Sequence, residues 1–177
     1  SIDNEKVIAK TYDKRISIWD TKNNKKINEV PGTAIITKNK KIYALQNNNI
    51  IIIYDSESGK TLKKFIFKEN ITEITVDNQN NIYIALDNGK INSYNKNYSL
   101  IKVFNTYSKN ISSLIVNEGK LALISKFDKS TKVFDIKTGK ILYKIQIKVP
   151  NEYDKSTIIY IPEKLFIQSG NLIGIFG

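Results

Sequence analysis

The stretch KVFDIKTGK, residues 132–140, runs from apolar residues into an aromatic residue and Asp, and then reaches Gly and Lys. Nearly the same phrase occurs as IIIYDSESGK at residues 51–60 and, more loosely, as ISIWDTKNNK at residues 16–25. A phrase that returns at a fixed interval is typical of repeat architectures. The repeat therefore has to be established before individual motifs are interpreted.

Two independent series of landmarks define the repeat. The aromatic residue and its successor recur with spacings of 35, 40, 40 and 42 residues, as Trp19-Asp20, Tyr54-Asp55, Tyr94-Asn95, Phe134-Asp135 and Phe176-Gly177. Residues that open an apolar run recur with spacings of 35, 40, 39 and 44, at Val7, Ile42, Ile82, Leu121 and Leu165. The agreement between the two series indicates a genuine repeat of about 40 residues.

Each period contains the pattern of four short strands. The third copy reads ITEITVD, NIYIALD, KINSY and SLIKVF, separated by Asn, Asp and Gly turns. Several strands are apolar on both faces and must be covered on both sides, which stacked sheets achieve. The sequence therefore predicts an all-β fold, a β-propeller whose blades are four-stranded antiparallel sheets.

The recurring phrase marks the hairpin between the third and fourth strands of each unit. The Asp or Asn of the aromatic pair can accept hydrogen bonds from the backbone amides ahead of it. Four residues later, Gly59, Gly139 or Asn24 suits a positive φ. The neighbouring hairpin has its own tight-turn signal at Gly89, in LDNGK. These polar residues are interpreted as turn formers.

The aromatic-Asp ending of each unit resembles the WD-repeat and related β-propeller repeats. The resemblance covers almost the whole chain, although the Gly-His pair that often opens such repeats and the buried His-centred hydrogen-bond network are absent. It implies a propeller fold. Most members of such families are scaffolds, and a minority are enzymes or cofactor-dependent dehydrogenases.

The units divide one propeller domain at residues 1–32, 33–69, 70–108, 109–150 and 151–177. The first unit lacks room for its first strand and the last stops before a fourth, so about four and a half blades of an incomplete ring are expected. We expect the chain to be part of a longer protein, with a ring of about seven blades. Two alternatives stay open: two chains that complete each other, and a small closed ring with distorted ends.

The chain contains no Cys, no His and no Met, which excludes many reactions and ligands. Disulfides, thiolate or imidazole metal sites and a Ser-His-Asp triad cannot be built. No catalytic residue, metal or cofactor is therefore expected, and the chain is not expected to be an enzyme. Paired acids fall in turns and at strand edges, where solvated charge is usual: Asp55 with Glu57, Glu69 with Glu73, and Glu152 with Asp154.

The formal net charge of +11 raises the question of a nucleic-acid partner. Of the 28 basic residues only Arg15 is Arg, whereas phosphate and guanine recognition favours guanidinium. The abundance of Lys, Asn and Ile resembles the composition that an AT-rich genome produces. We therefore favour a protein partner over nucleic acid, whose binding would fall steeply with salt.

No apolar run reaches the roughly 20 residues needed to cross a bilayer, so no membrane span is expected. The absence of Cys and of an initiator Met agrees with an exported, periplasmic type of protein without requiring one. The compartment is left undecided by the sequence.

The longest interruption between strands is KVPNEYDKST, residues 148–157. Exposed loops carry binding function more often than strands do, so Tyr153 is the candidate partner contact. The leading hypothesis is a non-catalytic scaffold for protein–protein interaction, an accessory or assembly factor of a larger complex. The alternative is a quinoprotein-like or hydrolytic propeller whose active residues lie in absent blades.

Overall fold

The computed structural model describes residues 6–146, 156–161, 164–169 and 172–176. In this part of the chain all regular structure is β-strand, and every paired strand is antiparallel to its neighbour. The chain divides into two compact units, Ser1–Asn70 and Ile71–Gly177.

The first unit contains two sheets. The strands of its three-stranded sheet are β1 (Lys6–Lys10), β2 (Arg15–Asp20) and β3 (Lys25–Pro31). The strands of its four-stranded sheet are β4 (Thr33–Lys38), β5 (Lys41–Gln46), β6 (Ile50–Asp55) and β7 (Thr61–Ile66).

The second unit contains three sheets. The first comprises β8 (Ile71–Val76), β9 (Ile82–Leu86), β10 (Lys90–Tyr94) and β11 (Leu100–Asn105). The next comprises β12 (Ile111–Asn117), β13 (Lys120–Ser125), β14 (Ser130–Asp135) and β15 (Ile141–Gln146). The last comprises β16 (Ser156–Ile161), β17 (Lys164–Ser169) and β18 (Leu172–Phe176).

Each sheet is a meander in which strands pair in the order of the chain. Burial varies systematically across the four-stranded sheets. All residues of β9 are buried, as are all but the last residue of β14, whereas β7 and β15 are exposed along most of their length. Lysines on the exposed outer strands discourage edge-to-edge pairing with other chains.

Apolar residues between stacked sheets form a core in each unit. In the second unit, the core packs Tyr83 and Phe104 against Leu121 and Phe134, and the two Phe rings meet edge to face at 6.1 Å between centroids. In the first unit, Ile18 of β2 belongs to the same core as residues of β5 and β6. Stacking thus covers strands that are apolar on both faces, as the sequence pattern requires.

A register shift recurs at the same place in the first four sheets. The pairing of the last two strands shifts just before the aromatic residue of each aromatic–Asp or aromatic–Asn pair, at Trp19, Tyr54, Tyr94 and Phe134. A β-bulge increases the local twist and re-aims the side chain that follows it. The aromatic position is therefore a structural landmark of the repeat as well as a sequence landmark.

Candidate interaction surface

In the first four sheets, the turn-forming Asp or Asn of the aromatic pair lies at the end of the penultimate strand or directly after it. The Asp55 carboxylate accepts hydrogen bonds from the Ser58 amide and hydroxyl, each at 2.7 Å. Asp135 accepts the corresponding bonds from Thr138 at 2.6 and 2.7 Å. The same role falls to Asp20, which binds the amides of residues 22 and 23, and to Asn95, which binds those of residues 97 and 99.

Glycines close these turns with positive φ. Gly59 has φ of +68° and donates its amide to the Asp55 carbonyl at 2.9 Å. Gly139 repeats this arrangement with φ of +77°, while Asn24 takes the position in the first sheet with φ of +48°. Gly89, in the β9–β10 hairpin, has φ of +82°.

The aromatic members of the pairs do not share one environment. Tyr54 and Phe134 are buried, Tyr94 is half-buried and Trp19 is partly exposed. Burial raises the pKa of Tyr54, whose hydroxyl donates to the Pro31 carbonyl at 3.2 Å. Tyr54 and Phe134 belong to the apolar cores of the first and the second unit respectively.

The acids of the turns are held in their ionised form. Hydrogen bonds from Asn23, Ser58 and Thr138 respectively lower the pKa of Asp20, Asp55 and Asp135. Glu57 makes ion pairs with Lys40 at 2.8 Å and Lys6 at 3.6 Å, and the hydrogen bond from Lys40 lowers its pKa. A general acid at neutral pH needs the opposite shift.

Glu73, on β8, differs from the turn acids because burial raises its pKa. Its predicted neighbour Glu69 is partly buried in the segment before β8. The third predicted pair, Glu152 and Asp154, lies outside the described residues, as does the candidate contact Tyr153. Among the described residues no group of three acids could hold a metal ion.

A polar cleft of about 410 Å³ lies between the β8–β9 and β12–β13 turns of the second unit. Asp77 in its wall accepts hydrogen bonds from the amides of Gln79 and Asn81, both at 2.8 Å, and from the Tyr83 hydroxyl at 3.3 Å. Burial and the charge of Asp77 raise the pKa of Tyr83 to about 12. The carboxylate is thus committed to the turn.

A buried ionic network joins two loops at another place in the same unit. Lys132 on β14 is only 4% exposed, and its ammonium lies 2.9 Å from the Asp128 carboxylate. The ammonium also donates to the Ser108 hydroxyl at 2.6 Å and to the Thr106 carbonyl at 2.9 Å. Three acceptors therefore satisfy its three donors, which a buried ammonium requires.

Among the described residues the Oδ1 oxygen of Asp128 is buried without a hydrogen-bond partner, whereas Oδ2 accepts hydrogen bonds from the β11–β12 connection and from β14. It accepts from the Ser108 hydroxyl at 2.9 Å as well as from Lys132. Burial raises the pKa of Asp128, but the hydrogen bonds from Lys132 and neighbouring serines outweigh burial and lower the pKa to about 2. The Asp128 carboxyl is therefore charged at neutral pH.

Further bonds tie the β11–β12 connection to the β13–β14 hairpin. The Ser125 hydroxyl donates to the Lys109 carbonyl at 2.7 Å, and the Lys126 amide donates to the Asn110 carbonyl at 3.3 Å. We call residues 106–110 and 125–130 the loop pair. Its backbone is fixed by interactions beneath the surface.

Two aromatic side chains project from the loop pair. Tyr107 is 86% exposed and Phe127 is 67% exposed, and each is adjacent in sequence to a member of the buried network, Ser108 or Asp128. Tyr107 also has φ of +55°, a conformation that costs energy for a residue with a Cβ. Eleven other described non-Gly residues also have positive φ, so this conformation is typical of the tight turns of the fold and does not by itself mark a site.

Only weak signals in the sequence point to the loop pair. An Asp and a Lys stand four residues apart in FDKSTK, residues 127–132, which is typical of a polar hairpin and lies at the β13–β14 hairpin in the structure. Ser108, about twenty residues away, carries no local mark of its role. Exposed aromatic residues beside turn residues were the only signal that could have pointed to this surface.

No protein-family model and no curated protein matches the sequence. Solved structures do match the fold. The computationally designed Ika8 protein superposes with a TM-score of 0.81 at 11% identity over 99% of this chain and 56% of its own. A chain of the mitotic checkpoint complex superposes with a TM-score of 0.79 at 9% identity over 98% of this chain and 57% of its own.

These likenesses establish the fold. The prediction of an all-β, propeller-like fold built from repeated antiparallel sheets is confirmed. The chain spans a little over half the length of the solved chains it matches. In the described residues there is no helix with the length and apolar character needed to cross a membrane.

Proposed function

We propose that this chain is a non-catalytic scaffold that binds a protein partner through the loop pair. The observation that carries the proposal is the placement of Tyr107 and Phe127, exposed side chains that project from a backbone fixed by the buried Lys132–Asp128 pair. Large aromatic residues dominate the binding energy of many protein interfaces.

Rigidity of the loops makes such a surface effective. Ordering a flexible loop costs conformational entropy on binding, and a loop that is already fixed avoids most of this cost. The hydrogen bonds of Lys132, Ser108 and Ser125 hold the two loops together before any partner arrives. Loops on a rigid sheet scaffold are a common location for binding residues.

The state of the described acids supports a non-catalytic role. Asp20, Asp55 and Asp135 have lowered pKa values because turn hydrogen bonds stabilise their charged forms. Asp77 accepts hydrogen bonds from amides of its own turn, and Asp128 forms an ion pair with Lys132. Carboxylates held by such hydrogen bonds and ion pairs are poorly suited to proton transfer.

We also propose that the repeats are of the WD-repeat type. The support is the recurring aromatic residue followed by a turn-forming Asp or Asn, together with the register shift before the aromatic residue. One structural neighbour belongs to a protein complex, the mitotic checkpoint complex, which agrees with a role in assembly. An accessory or assembly factor is the form of scaffold that we favour.

Affinity capture from an extract of the native organism tests this function. The full chain serves as bait at about 0.15 M salt, where the Debye length is about 8 Å and diffuse lysine-driven capture is suppressed. Wild type is compared with Tyr107→Ala/Phe127→Ala and with a control, Leu62→Ala/Ile66→Ala, which removes exposed apolar side chains from β7. All three are first checked for equal folding by circular dichroism.

The scaffold proposal requires a protein that wild type and the control retain stoichiometrically and that the loop-pair variant loses. Retention of the same proteins by the loop-pair variant would show that this surface does not bind them. Capture of no protein by wild type would also contradict the proposal.

A further inference from the structure

The loop pair carries a one-sided charge. Lys109, Lys126 and Lys129 lie on the same two loops as Tyr107 and Phe127, and Lys109 and Lys129 are exposed while Lys126 is partly exposed. The carboxylate among them is Asp128, which is paired with the buried Lys132. The internal ion pair cancels, so among the described residues of these two loops three ammonium groups are left to meet a partner.

The neighbouring hairpin reduces this positive charge only slightly. The Thr106 amide and hydroxyl both donate to the Gly89 carbonyl, at 3.0 and 2.8 Å, which joins the β9–β10 hairpin to the loop pair. That hairpin carries Asp87, followed by Lys90 at the start of β10. One carboxylate and one ammonium offset each other, and the excess of three cations is unchanged.

From this charge and the exposed aromatic rings, we infer that the loop pair binds an acidic segment of a partner protein that also carries apolar side chains. This inference rests on the proposed scaffold function and specifies its partner. Carboxylates of the segment pair with Lys109, Lys126 and Lys129, while its apolar side chains pack on Tyr107 and Phe127. Charge complementarity of this kind steers association and rejects partners of the wrong sign.

The chemistry of the cations favours a protein segment over nucleic acid. Planar bidentate recognition of phosphate uses guanidinium, and the cations of the loop pair are all lysines. Single-stranded nucleic acid also stacks on exposed aromatic rings, however, and tracks along a longer basic groove. An oligonucleotide is therefore the necessary competitor in the test.

Fluorescence anisotropy of the full chain with defined probes tests the inference. The probes are a short labelled peptide that alternates Glu with Leu and Phe, the same peptide with Lys in place of Glu, and oligouridylate of equal charge. Because exposed ion pairs contribute about 0.2–1 kcal/mol each, we expect the Glu peptide to bind at least about fivefold more tightly than the Lys peptide.

Two triple variants of equal net charge locate the binding. Lys109→Gln/Lys126→Gln/Lys129→Gln should weaken binding of the Glu peptide at least about fivefold. Lys60→Gln/Lys64→Gln/Lys68→Gln, which changes exposed lysines of the first unit, should leave it within about twofold of wild type. Tyr107→Ala/Phe127→Ala should weaken it further than the charge variant, because the apolar contacts are lost.

Three results would overturn the acidic-segment inference: equal binding of the Lys peptide, equal effects of the two triple variants, or tighter binding of oligouridylate. The extract experiment separates this failure from failure of the scaffold function. A captured partner could depend on Tyr107 and Phe127 and still be retained by Lys109→Gln/Lys126→Gln/Lys129→Gln. That result would support the scaffold function and contradict the acidic contact.

Discussion

The ammonium of Lys132 on β14 lies 2.9 Å from the carboxylate of Asp128, which follows the exposed Phe127 in the β13–β14 hairpin. Both groups also bond to Ser108, so one ion pair fixes two loops that are about twenty residues apart. Disturbing the pair is therefore expected to release the backbone that presents Tyr107 and Phe127.

Replacing Asp128 with Asn should reduce the free energy of unfolding by about 3 kcal/mol, because the buried Lys132 ammonium loses its counter-charge. Urea denaturation monitored by circular dichroism measures the change. Glu118→Gln, a substitution of an exposed turn acid in the same sheet, is the control and should change stability by less than about 0.5 kcal/mol.

The double substitution Asp128→Leu/Lys132→Met completes this test. Removing both charges leaves no buried ion unpaired, so the double variant should be more stable than Asp128→Asn. A stability for Asp128→Asn equal to that of Glu118→Gln would mean that the pair contributes nothing to holding the loops.

Acid should weaken the contribution of Asp128 over a defined range. The folded-state pKa of about 2 lies below the value of about 3.9 for an unfolded Asp. Stabilisation by this group is therefore fully present above about pH 4 and is lost as the pH falls toward 2. The stability difference between wild type and Asp128→Asn should narrow over this range, as urea titrations at several pH values would reveal.

Glu29 has its pKa lowered to about 2 by hydrogen bonds from Lys26 and Arg15, and it titrates in the same range. Its contribution is common to wild type and Asp128→Asn and cancels in their difference. If the stability difference between wild type and Asp128→Asn stayed constant from pH 5 to pH 2, the assignment of the lowered pKa to Asp128 would be contradicted.

Some of this architecture can be read from the sequence because its chemistry is local. An Asp at the end of an apolar strand bonds amides two and three residues ahead, so Asp55 and Asp135 are visible as turn formers. The all-β repeat follows from spacing alone. By contrast, Ser108, Asp128 and Lys132 meet only in the folded sheet, and a Lys within a strand normally indicates an exposed edge.

The register shifts are also invisible in the sequence. They depend on how the final strand pairs with the strand before it, and the residues on either side of the shift differ between repeats: Ile18 with Trp19, but Ser93 with Tyr94. The unusual φ of Tyr107 is equally unpredictable, since left-handed positions are usually taken by Gly or Asn. Tertiary bonds override these local preferences.

Substitution of Gly59 by Ala should be more destabilising than substitution of Gly119 by Ala. Both glycines have positive φ, so backbone strain should lower the unfolding free energy of each Ala variant by about 1 kcal/mol. A Cβ on Gly59 would also lie 1.8 Å from the side-chain nitrogen Nδ2 of Asn28, whereas a Cβ on Gly119 would have no atom within 4 Å. Asn28 would have to move and give up its 2.7 Å hydrogen bond to the Ser58 carbonyl.

Thermal unfolding of the two Ala variants measures how much unfolding free energy each substitution removes. Gly59→Ala should remove about 1 kcal/mol more than Gly119→Ala, because it also loses the hydrogen bond. In the background Asn28→Ala the excess should disappear, since no side chain then blocks the new methyl group. Equal effects of the two glycine substitutions in the wild-type background would show that the contact with Asn28 is easily relieved.

Lys102 on β11 tethers the β14–β15 turn of the second unit, as Asn28 tethers the β6–β7 turn of the first. Its ammonium donates to the carbonyls of Ile136 and Lys137 at 3.0 and 2.6 Å, in the turn that follows β14. Lys102→Met keeps the apolar stem but removes both bonds, so the unfolding free energy should fall by about 1 kcal/mol. Lys144→Met, on the exposed outer strand β15, is the matched control and should change stability by less than about 0.5 kcal/mol.

Hydrogen exchange distinguishes this tether from a general effect of charge. If Lys102 holds the turn, Lys102→Met should speed exchange at the amides of Gly139 and Thr138, whose hydrogen bonds to Asp135 define the turn. Exchange in the equivalent turn of the first unit, at Gly59, should stay unchanged because Asn28 tethers it independently. Faster exchange in both turns would instead indicate global destabilisation, and the local role of Lys102 would have to be abandoned.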